Sequence, residues 1–413
     1  MRKITFTRII LILLILGTFF QQASAVETGK IQIVESIPLE AKIGNQTFPD
    51  TVDVWLRMIN NARKTLDIEV FYISNKKGQP LEKVISAIEK AADRGVKVRI
   101  IIDSKFIGIY PEPARSLGKR KNISFRIINF NKLTGGVMHA KFFIVDGRFV
   151  FLGSQNFDWR ALNQNHEIGV YIENRKIARE IEKIFNLDWQ ICVNPKSAGK
   201  LLKQKTNEII NRSNPVKIMV DDEEVIVYPA FSPKKLAYSG MSLEEEEIVS
   251  LMKSARKEIL VQVMTYSPKT YSKKDPYYAV LDNAIRAAAQ RGIKVKLLVA
   301  NWSVGGKKID FLKSLAQVPN VEVKISSLPE YSKGFIPFAR VEHCKYMVVD
   351  GRITWIGTGN WEKSYFHACR DMGVVIISRK MSSQMRKMFQ TGWNSPYAEA
   401  IDLSKKYKRP RIK

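Results

Sequence analysis

At 413 residues, 45 % of them hydrophobic and 26 % charged, the chain is long enough for two domains with ample core, which excludes a disordered or fibrous protein. Its 67 Lys and Arg against 40 Asp and Glu leave a formal charge of +27, a surplus that favours polyanionic partners without choosing between nucleic acid and an anionic membrane. The three cysteines, Cys192, Cys344 and Cys369, are odd in number and lack CxxC or Cys/His metal spacing, which excludes a disulfide framework and argues against zinc. They read as buried small residues, with one Cys344–Cys369 bridge left open in an oxidising compartment.

From the N-terminus, basic residues up to Arg8, an apolar run over 9–20 and Ala23-Ser24-Ala25 read as a secretory signal cleaved after Ala25. That run is about 12 residues, short for a membrane span of roughly 20, so a secreted or periplasmic protein is expected and an uncleaved N-terminal anchor is the alternative. A first domain is expected over 26–192. In it a helix leads through Ala62-Arg63-Lys64 to the strand Asp67–Tyr72, an amphipathic helix ends at Arg94-Gly95, and Val98–Ile102 reads as a buried parallel strand. After a connector over 193–224, the same succession returns in 225–403: Ala255-Arg256-Lys257, the strand Leu260–Tyr266, a helix ending at Arg291-Gly292, and the apolar strand Lys296–Val299. The chain is an internal duplication, and alternation of this kind predicts an α/β layered fold of two pseudo-symmetric halves. The acidic run Glu244–Glu247 opens a helix, where negative charge suits the dipole. The basic stretch 404–413 reads as a solvated tail.

Each half carries one further motif. His139-Ala-Lys141 runs through an apolar strand to Asp146 and on to Gly153-Ser154-Gln-Asn156; His343-Cys-Lys345 runs likewise to Asp350 and to Gly357-Thr358-Gly-Asn360. Alternate residues of a strand share a face, so each His points with its Lys. Asp146 and Asp350 have the opposite parity and begin Asp-Gly pairs, which signal a tight hairpin turn; they are read as structural. The returning strands bring Asn156 and Asn360 back beside the histidines. Each half thereby offers an imidazole, an ammonium and an amide to one small anion, and two halves facing each other make a paired-histidine phosphodiester site in a central cleft.

With these motifs the chain resembles the phospholipase D superfamily, the enzymes defined by two His-x-Lys-x4-Asp motifs, over nearly all of the mature sequence. It is most similar to the branch holding the mammalian lysosomal 5′-exonucleases and the poxvirus envelope relatives. Residues outside the catalytic motifs carry that finer likeness: Val34-Glu-Ser-Ile-Pro38, Asn156-Phe-Asp-Trp159-Arg160-Ala-Leu162, Glu167-Ile-Gly-Val170, Ile336-Pro-Phe-Ala-Arg340-Val, Gly359-Asn360-Trp361 and Tyr365-Phe366. The chain departs from the branch at Gly359, where Ser is usual, and over His367–Asp371.

The resemblance implies a two-step reaction without metal or other cofactor. One neutral imidazole attacks phosphorus, the other protonates the leaving oxygen, and Lys141, Lys345, Asn156 and Asn360 neutralise the non-bridging oxygens. By analogy His139 is the nucleophile and His343 the acid, although the two halves are symmetric in sequence. A histidine in such a role needs its second ring nitrogen held. Glu167 and Asp371, at comparable places after the two motifs, are implied to do this, the alternative being surface carboxylates at strand starts. His166 and His367 read as satisfied structural histidines. The expected activity is a nuclease on single-stranded DNA or RNA, with Trp159, Trp361, Tyr365 and Phe366 able to stack on bases, the equal alternative being that they belong to the core. The alternative is a phospholipase D that hydrolyses or exchanges phospholipid headgroups, for which the stretch Gly334–Phe338 would be an apolar, membrane-facing rim. A non-enzymatic binding module is disfavoured because every motif position is intact. Both half-sites lie in one chain, so a monomer is expected.

Overall fold

Two β-sheets of one plan occupy the centre of the molecule, and the plan follows the repeat. The computed structural model describes residues 26–204, 206, 208–270, 276–306 and 308–413; the signal expected over 1–25 lies outside them. The main elements of the first half are β1 (Lys30–Ser36), α1 (Thr51–Asn60), β2 (Thr65–Val70), α2 (Pro80–Asp93), β3 (Lys97–Asp103), β4 (Ile123–Ile128), β5 (Lys141–Val145), β6 (Phe149–Gly153), β7 (Glu167–Glu173) and α3 (Arg175–Val193). Its seven strands lie in the order β1-β7-β6-β5-β2-β3-β4. The trio β2, β3 and β4 is parallel, while β5, β6, β7 and β1 continue the sheet antiparallel.

The second half repeats this with β8 (Val216–Val220), β9 (Glu223–Ser232), α4 (Glu244–Ser254), β10 (Glu258–Val263), α5 (Val280–Gln290), β11 (Lys294–Ala300), α6 (Lys308–Ala316), β12 (Val321–Ser326), β13 (Lys345–Val349), β14 (Ile353–Gly357), β15 (Asp371–Ile377), α7 (Arg379–Trp393) and β16 (Ala398–Ala400). Its order is β8-β9-β15-β14-β13-β10-β11-β12-β16, the first plan with one strand added at each edge. The fold is mixed α/β, with two pseudo-symmetric halves.

Local chemistry explains the elements. Pro80 opens α2, and Leu81, Val84, Ile85, Ile88 and Ala92 recur at helical spacing on its buried face. Asn174 caps α3 by accepting from the amides of Lys176 and Ile177. One hydrophobic cluster runs through both halves: Phe142, Leu152 and Ile168 of the first sheet, Ile181 and Phe185 of α3, and Val261, Met347 and Val374 of the second sheet share it. The halves are therefore packed face to face around a common core. The acidic run opens α4, as expected, with all four glutamates in the first turn. Glu244 and Glu247 are buried, bonded to Ser232 and to Tyr228 with Arg212 respectively. The basic end is not a solvated tail; it is docked on the second half, with the ammonium of Lys313 donating to the carbonyls of Leu403 and Lys405. Among the described residues no helix is long and apolar enough to cross a membrane.

The motif aspartates explain a second part of the repeat. Asp146 and Gly147 both adopt positive φ (54° and 58°), as do Asp350 and Gly351 (54° and 60°), the conformation of a two-residue hairpin turn. The carboxylate of Asp146 accepts from the backbone amides of Arg63, Lys64 and Thr65 at 2.7–3.0 Å, and that of Asp350 from Arg256, Lys257 and Glu258 at 2.8–3.0 Å. Each aspartate ties its hairpin to the chain entering β2 or β10, at the opposite end of the strands from the histidines. Asp350→Asn keeps the turn, since Asn tolerates positive φ, but weakens charge-assisted bonds. The expected loss is about 1–3 kcal/mol in denaturant unfolding, with turnover per folded molecule little changed. A fully stable but inactive Asp350→Asn protein would contradict this assignment.

Candidate active site

The motif histidines stand just before β5 and β13, where the two halves are stitched together by backbone. His139 N donates to the carbonyl of Arg370 and Arg370 N to that of Val137; His343 N donates to the carbonyl of His166 and His166 N to that of Val341. Arg370 and His166 each immediately precede an acid, Asp371 and Glu167. The pairing therefore brings each acid beside the histidine of the opposite half. His139 Nδ1 lies 2.8 Å from Asp371 Oδ1, and His343 Nδ1 lies 2.7 Å from Glu167 Oε2. In turn Thr358 Oγ1 donates to Asp371 at 2.6 Å and Ser154 Oγ to Glu167 at 2.5 Å, while each hydroxyl accepts from a backbone amide, that of Met372 or Ile168.

The lysines follow the strand parity expected of them. Lys141 Nζ lies 2.8 Å from His139 Nε2 and is also bonded to the His139 carbonyl; Lys345 Nζ donates to the His343 carbonyl at 2.5 Å. Asn360 Oδ1 accepts from the amide of Thr265, whereas Asn156 Oδ1 has no protein partner among the described residues. Two short parallel pairings, Ile73–Ser74 with Phe157–Asp158 and Tyr266–Ser267 with Trp361–Glu362, hold the segments after these asparagines against the ends of β2 and β10. His139, Asn156 and His343 line one cavity of about 240 Å³.

Burial of so many cations governs their proton affinities. Burial, then the charges of Lys141 and Lys345, hold His139 well below the usual imidazole range. Burial also lowers His343, but Glu167 pulls it back up, so the depression is smaller. Burial pushes Lys345 down to about 8 and Lys141 well below its ordinary value. It pushes Asp371 up to about 7, against the pull of Lys141 and the Thr358 bond.

Other residues singled out in the sequence fall elsewhere. His166 is sealed from the cleft between Glu35, 2.6 Å from Nε2, and Glu342 on Nδ1. Burial opposes its charge, yet the neighbouring Cys344 and Glu342 outweigh that and raise its pKa well above normal. His166, Glu342 and Cys344 form the group among the described residues whose ligand atoms lie close enough to hold a metal, within 4.8 Å. Both His166 nitrogens are occupied by carboxylates there. His367 is exposed and bonds Glu245. All three cysteines are free thiols, so the Cys344–Cys369 bridge is not formed; burial pushes each up to about 12, which leaves them unreactive.

Of the four aromatics left open between base-stacking and core, Trp159, Trp361 and Phe366 are core residues and cannot stack on a ligand. Of the four rings expected, Tyr365 alone reaches the cleft, edge-on to His139 at 5.0 Å. Five rings that sequence reasoning passed over for this role, Phe71, Tyr72, Phe106, Tyr110 and Trp302, line it instead. Phe71 meets His139 edge-on at 5.0 Å, and Tyr72 stacks with Tyr110 at 5.3 Å, which in turn lies parallel to Phe106. Phe71-Tyr72 ends a repeated strand and had a sequence signal; Phe106 and Tyr110 fall in the connection from β3 to β4, whose residues are not repeated in the matching connection from β11 to β12, although that one brings Trp302 to the same cavity. Of the stretch Gly334–Phe338, Phe338 is exposed and lines the cavity of His139 and His343, whereas Phe335 lies 4.0 Å beneath the guanidinium of Arg411.

Comparison with known proteins gives this geometry a lineage. The family described as "Cardiolipin synthase, PLD-like domain" matches residues 55–189 and 248–393, one match per half. Phospholipase D Z of Dictyostelium discoideum is 32 % identical over 386 residues, 90 % of each chain. The 5′-3′ exonuclease PLD3 of Bos taurus is 32 % identical over 397 residues, 90 % of this chain and 81 % of that one, and the human 5′-3′ exonuclease PLD4 is 29 % identical over 405 residues. Among solved structures, phosphatidylserine synthase of Haemophilus influenzae superposes with a TM-score of 0.63 at 14 % identity, covering 90 % of this chain and 87 % of that one, a likeness of fold. The chain belongs to the phospholipase D superfamily, near its 5′-exonuclease branch, and is a phosphodiesterase of that superfamily.

Proposed function

We propose that the protein is an exported, metal-independent nuclease acting on single-stranded DNA or RNA through a phosphohistidine intermediate. The observation that carries the chemistry is the crossed pair of histidine–carboxylate contacts in one cleft. Asp371 accepts the Nδ1 proton of His139, which puts the lone pair on Nε2, where a bound phosphate would take the place of Lys141, now 2.8 Å away. That lone pair forms a bond to phosphorus as the P–O bond to the leaving group breaks, and His343, protonated and held by Glu167, gives its proton to the departing oxygen. In the second step His343 takes a proton from water, the water oxygen bonds to phosphorus, and the P–N bond returns its electrons to His139. Lys141, Lys345, Asn156 and Asn360 meet the charge that builds on the non-bridging oxygens. The unequal depression of the two imidazoles supports this division of roles: the one held further down is the neutral nucleophile, and the one raised by its carboxylate is the acid.

Nucleic acid is favoured over lipid by the exonuclease relatives and by the ring-lined wall of the cleft, since aromatic faces stack on bases irrespective of sequence. The family's lipid-acting members make phosphatidic acid release the alternative result. Given linear and circular single-stranded oligonucleotides beside phosphatidylcholine and cardiolipin vesicles, the purified protein is expected to degrade the linear strands and spare the circles. Vesicle hydrolysis without any cleavage of DNA or RNA between pH 5 and 8 would transfer the assignment to phospholipase D.

Two further outcomes test the site. His139→Ala is expected to abolish turnover and His343→Ala to lower it by roughly 10²–10⁴-fold, the usual worth of general acid–base catalysis, while a chelator leaves the rate intact. With a p-nitrophenyl leaving group, which needs no acid, His343→Ala should accumulate labelled phosphoenzyme and His139→Ala none; the reverse pattern would exchange the two roles. The pH profile carries a sign. His343 must be protonated in the first step and its pKa lies below the ordinary 6.5, so kcat/KM falls as pH rises through that lowered value. Glu167 raises this pKa, so Glu167→Gln moves the alkaline limb to lower pH. A limb that stays in place on this substitution removes His343 as the acid.

A further inference from the structure

The segment 405–413 holds six cations, Lys405, Lys406, Lys408, Arg409, Arg411 and Lys413, and it is fixed to the body of the second half. Asp402 N donates to the hydroxyl of Tyr407 at 2.8 Å, and the Tyr407 ring lies 5.7 Å from the Lys313 ammonium. Further on, Phe338 N donates to the Ile412 carbonyl at 2.8 Å, Arg411 stacks on Phe335, and the stem of Arg409 covers Gly305, where an added Cβ would lie 3.5 Å from its Cδ.

These anchor points are parts of the cleft wall. Gly305 follows the turn that carries Trp302, and Trp302 and Phe338 line the same cavity as His139 and His343. The segment therefore runs along the mouth of the active site. Exposure alternates over its last five residues: Pro410 and Ile412 are half-buried, while Arg409, Arg411 and Lys413 face solvent. Among the described residues none of these three pairs with an acidic side chain, unlike Lys405, which bonds Glu399; Arg411 Nε donates only to the main-chain oxygen of Lys413, at 3.2 Å. A row of cations without acidic side-chain partners on an anchored backbone, beside a site that takes a phosphodiester, fits an extended polyanion leaving or entering that site.

We propose that residues 405–413 form a phosphate track for single-stranded nucleic acid, in which Arg409, Arg411 and Lys413 neutralise backbone phosphates outside the one that reacts. The proposal rests on the nuclease reading above and extends it to how the strand is held. Each phosphate neutralised releases counterions from the strand, so three contacts contribute a log–log salt slope of roughly −2, at about −0.7 per contact for single strands.

The test is the triple variant Arg409→Gln/Arg411→Gln/Lys413→Gln, compared with wild type on a long single-stranded oligonucleotide and on bis(p-nitrophenyl) phosphate, which is too small to reach the track. The ratio of kcat/KM for the oligonucleotide to that for the small diester is expected to fall roughly tenfold at low salt. In the His139→Ala background, oligonucleotide binding by the variant should show a salt slope shallower by about 2. Equal ratios and equal slopes would overturn the track and return the segment to a solvated end. A parallel fall on both substrates would overturn it too, by showing that the segment supports the shape of the cleft. Loss of binding to anionic phosphatidylglycerol vesicles with oligonucleotide binding retained would reassign it to a membrane surface. Failure of the nuclease reading looks different, because wild type then hydrolyses the small diester and leaves the oligonucleotide intact, and the track falls with it.

Discussion

The catalytic centre depends on backbone pairing between the two halves, because each histidine is oriented by a carboxylate that the other half supplies. Neither half alone supplies the carboxylate that holds its own motif histidine. The residue before each acid is a cation buried at the seam. Arg370 makes a bidentate pair with Asp188 of α3 at 2.6 and 2.8 Å, and His166 is clasped by Glu35 and Glu342. Buried ion pairs contribute little net stability against apolar packing of the same volume, but breaking one by removing a partner is strongly destabilising. Their value here is register. A slip of one residue at either seam would put an uncompensated charge in the core and turn the acid away from its histidine. The same device thus fixes the docking of the halves and the tautomers of the two imidazoles.

Within that symmetry the halves differ under the two acids. In the first, Ser36 lies opposite Glu167 in the sheet, and both Ser36 and Gln155 donate to the hydroxyl of Thr51. In the second, Ser232 lies opposite Asp371, Gly359 stands in place of the glutamine, and Glu244 stands in place of the threonine. Glycine at 359 leaves Asp371 close by, 3.1 Å from where a Cβ would be. Glu244 is held well above the usual carboxylate range by burial and by Asp371, and one oxygen of each acid lacks a partner among the described residues. The histidine read as nucleophile therefore rests on a carboxylate backed by a second acid, whereas the histidine read as acid rests on one backed by a neutral hydroxyl. Sequence symmetry in the motifs coexists with electrostatic asymmetry beneath them.

Local periodicity made much of this legible from residues alone. The two-residue alternation placed each lysine with its histidine and set Asp146 and Asp350 on the other face, and the Ala-Arg-Lys repeat proved to supply the amides those aspartates bind. The duplication implied two like sheets. What stayed hidden was set by contacts between distant segments. No local pattern says that Asp371 serves His139 and not His343, since that follows from the pairing of residue 138 with residue 370. Sequence left Trp361 open between base-stacking and core, and burial against Trp355 decides for the core. Phe106 and Tyr110 reach the cleft from a connection whose residues are not repeated in the second half. The basic end looked solvated because charge runs usually are, and only its contacts with Phe335, Phe338 and Lys313 give it a place.

The charge state of the site completes the physical picture. Two ammonium groups and two imidazoles crowd between two carboxylates, so each cation lowers the proton affinity of the others, and burial lowers it further. A phosphodiester monoanion is the counter-ion this cluster is short of. On entering, it raises the affinity of both lysines and of His343 for protons, which charges the donors at the moment they are needed. In the reaction proposed above, His139, pressed down by burial and by both lysines, starts from the lower proton affinity of the two imidazoles and serves as the nucleophile. On that proposal binding and activation are one electrostatic event, and the fixed donors meet the charge on the non-bridging oxygens.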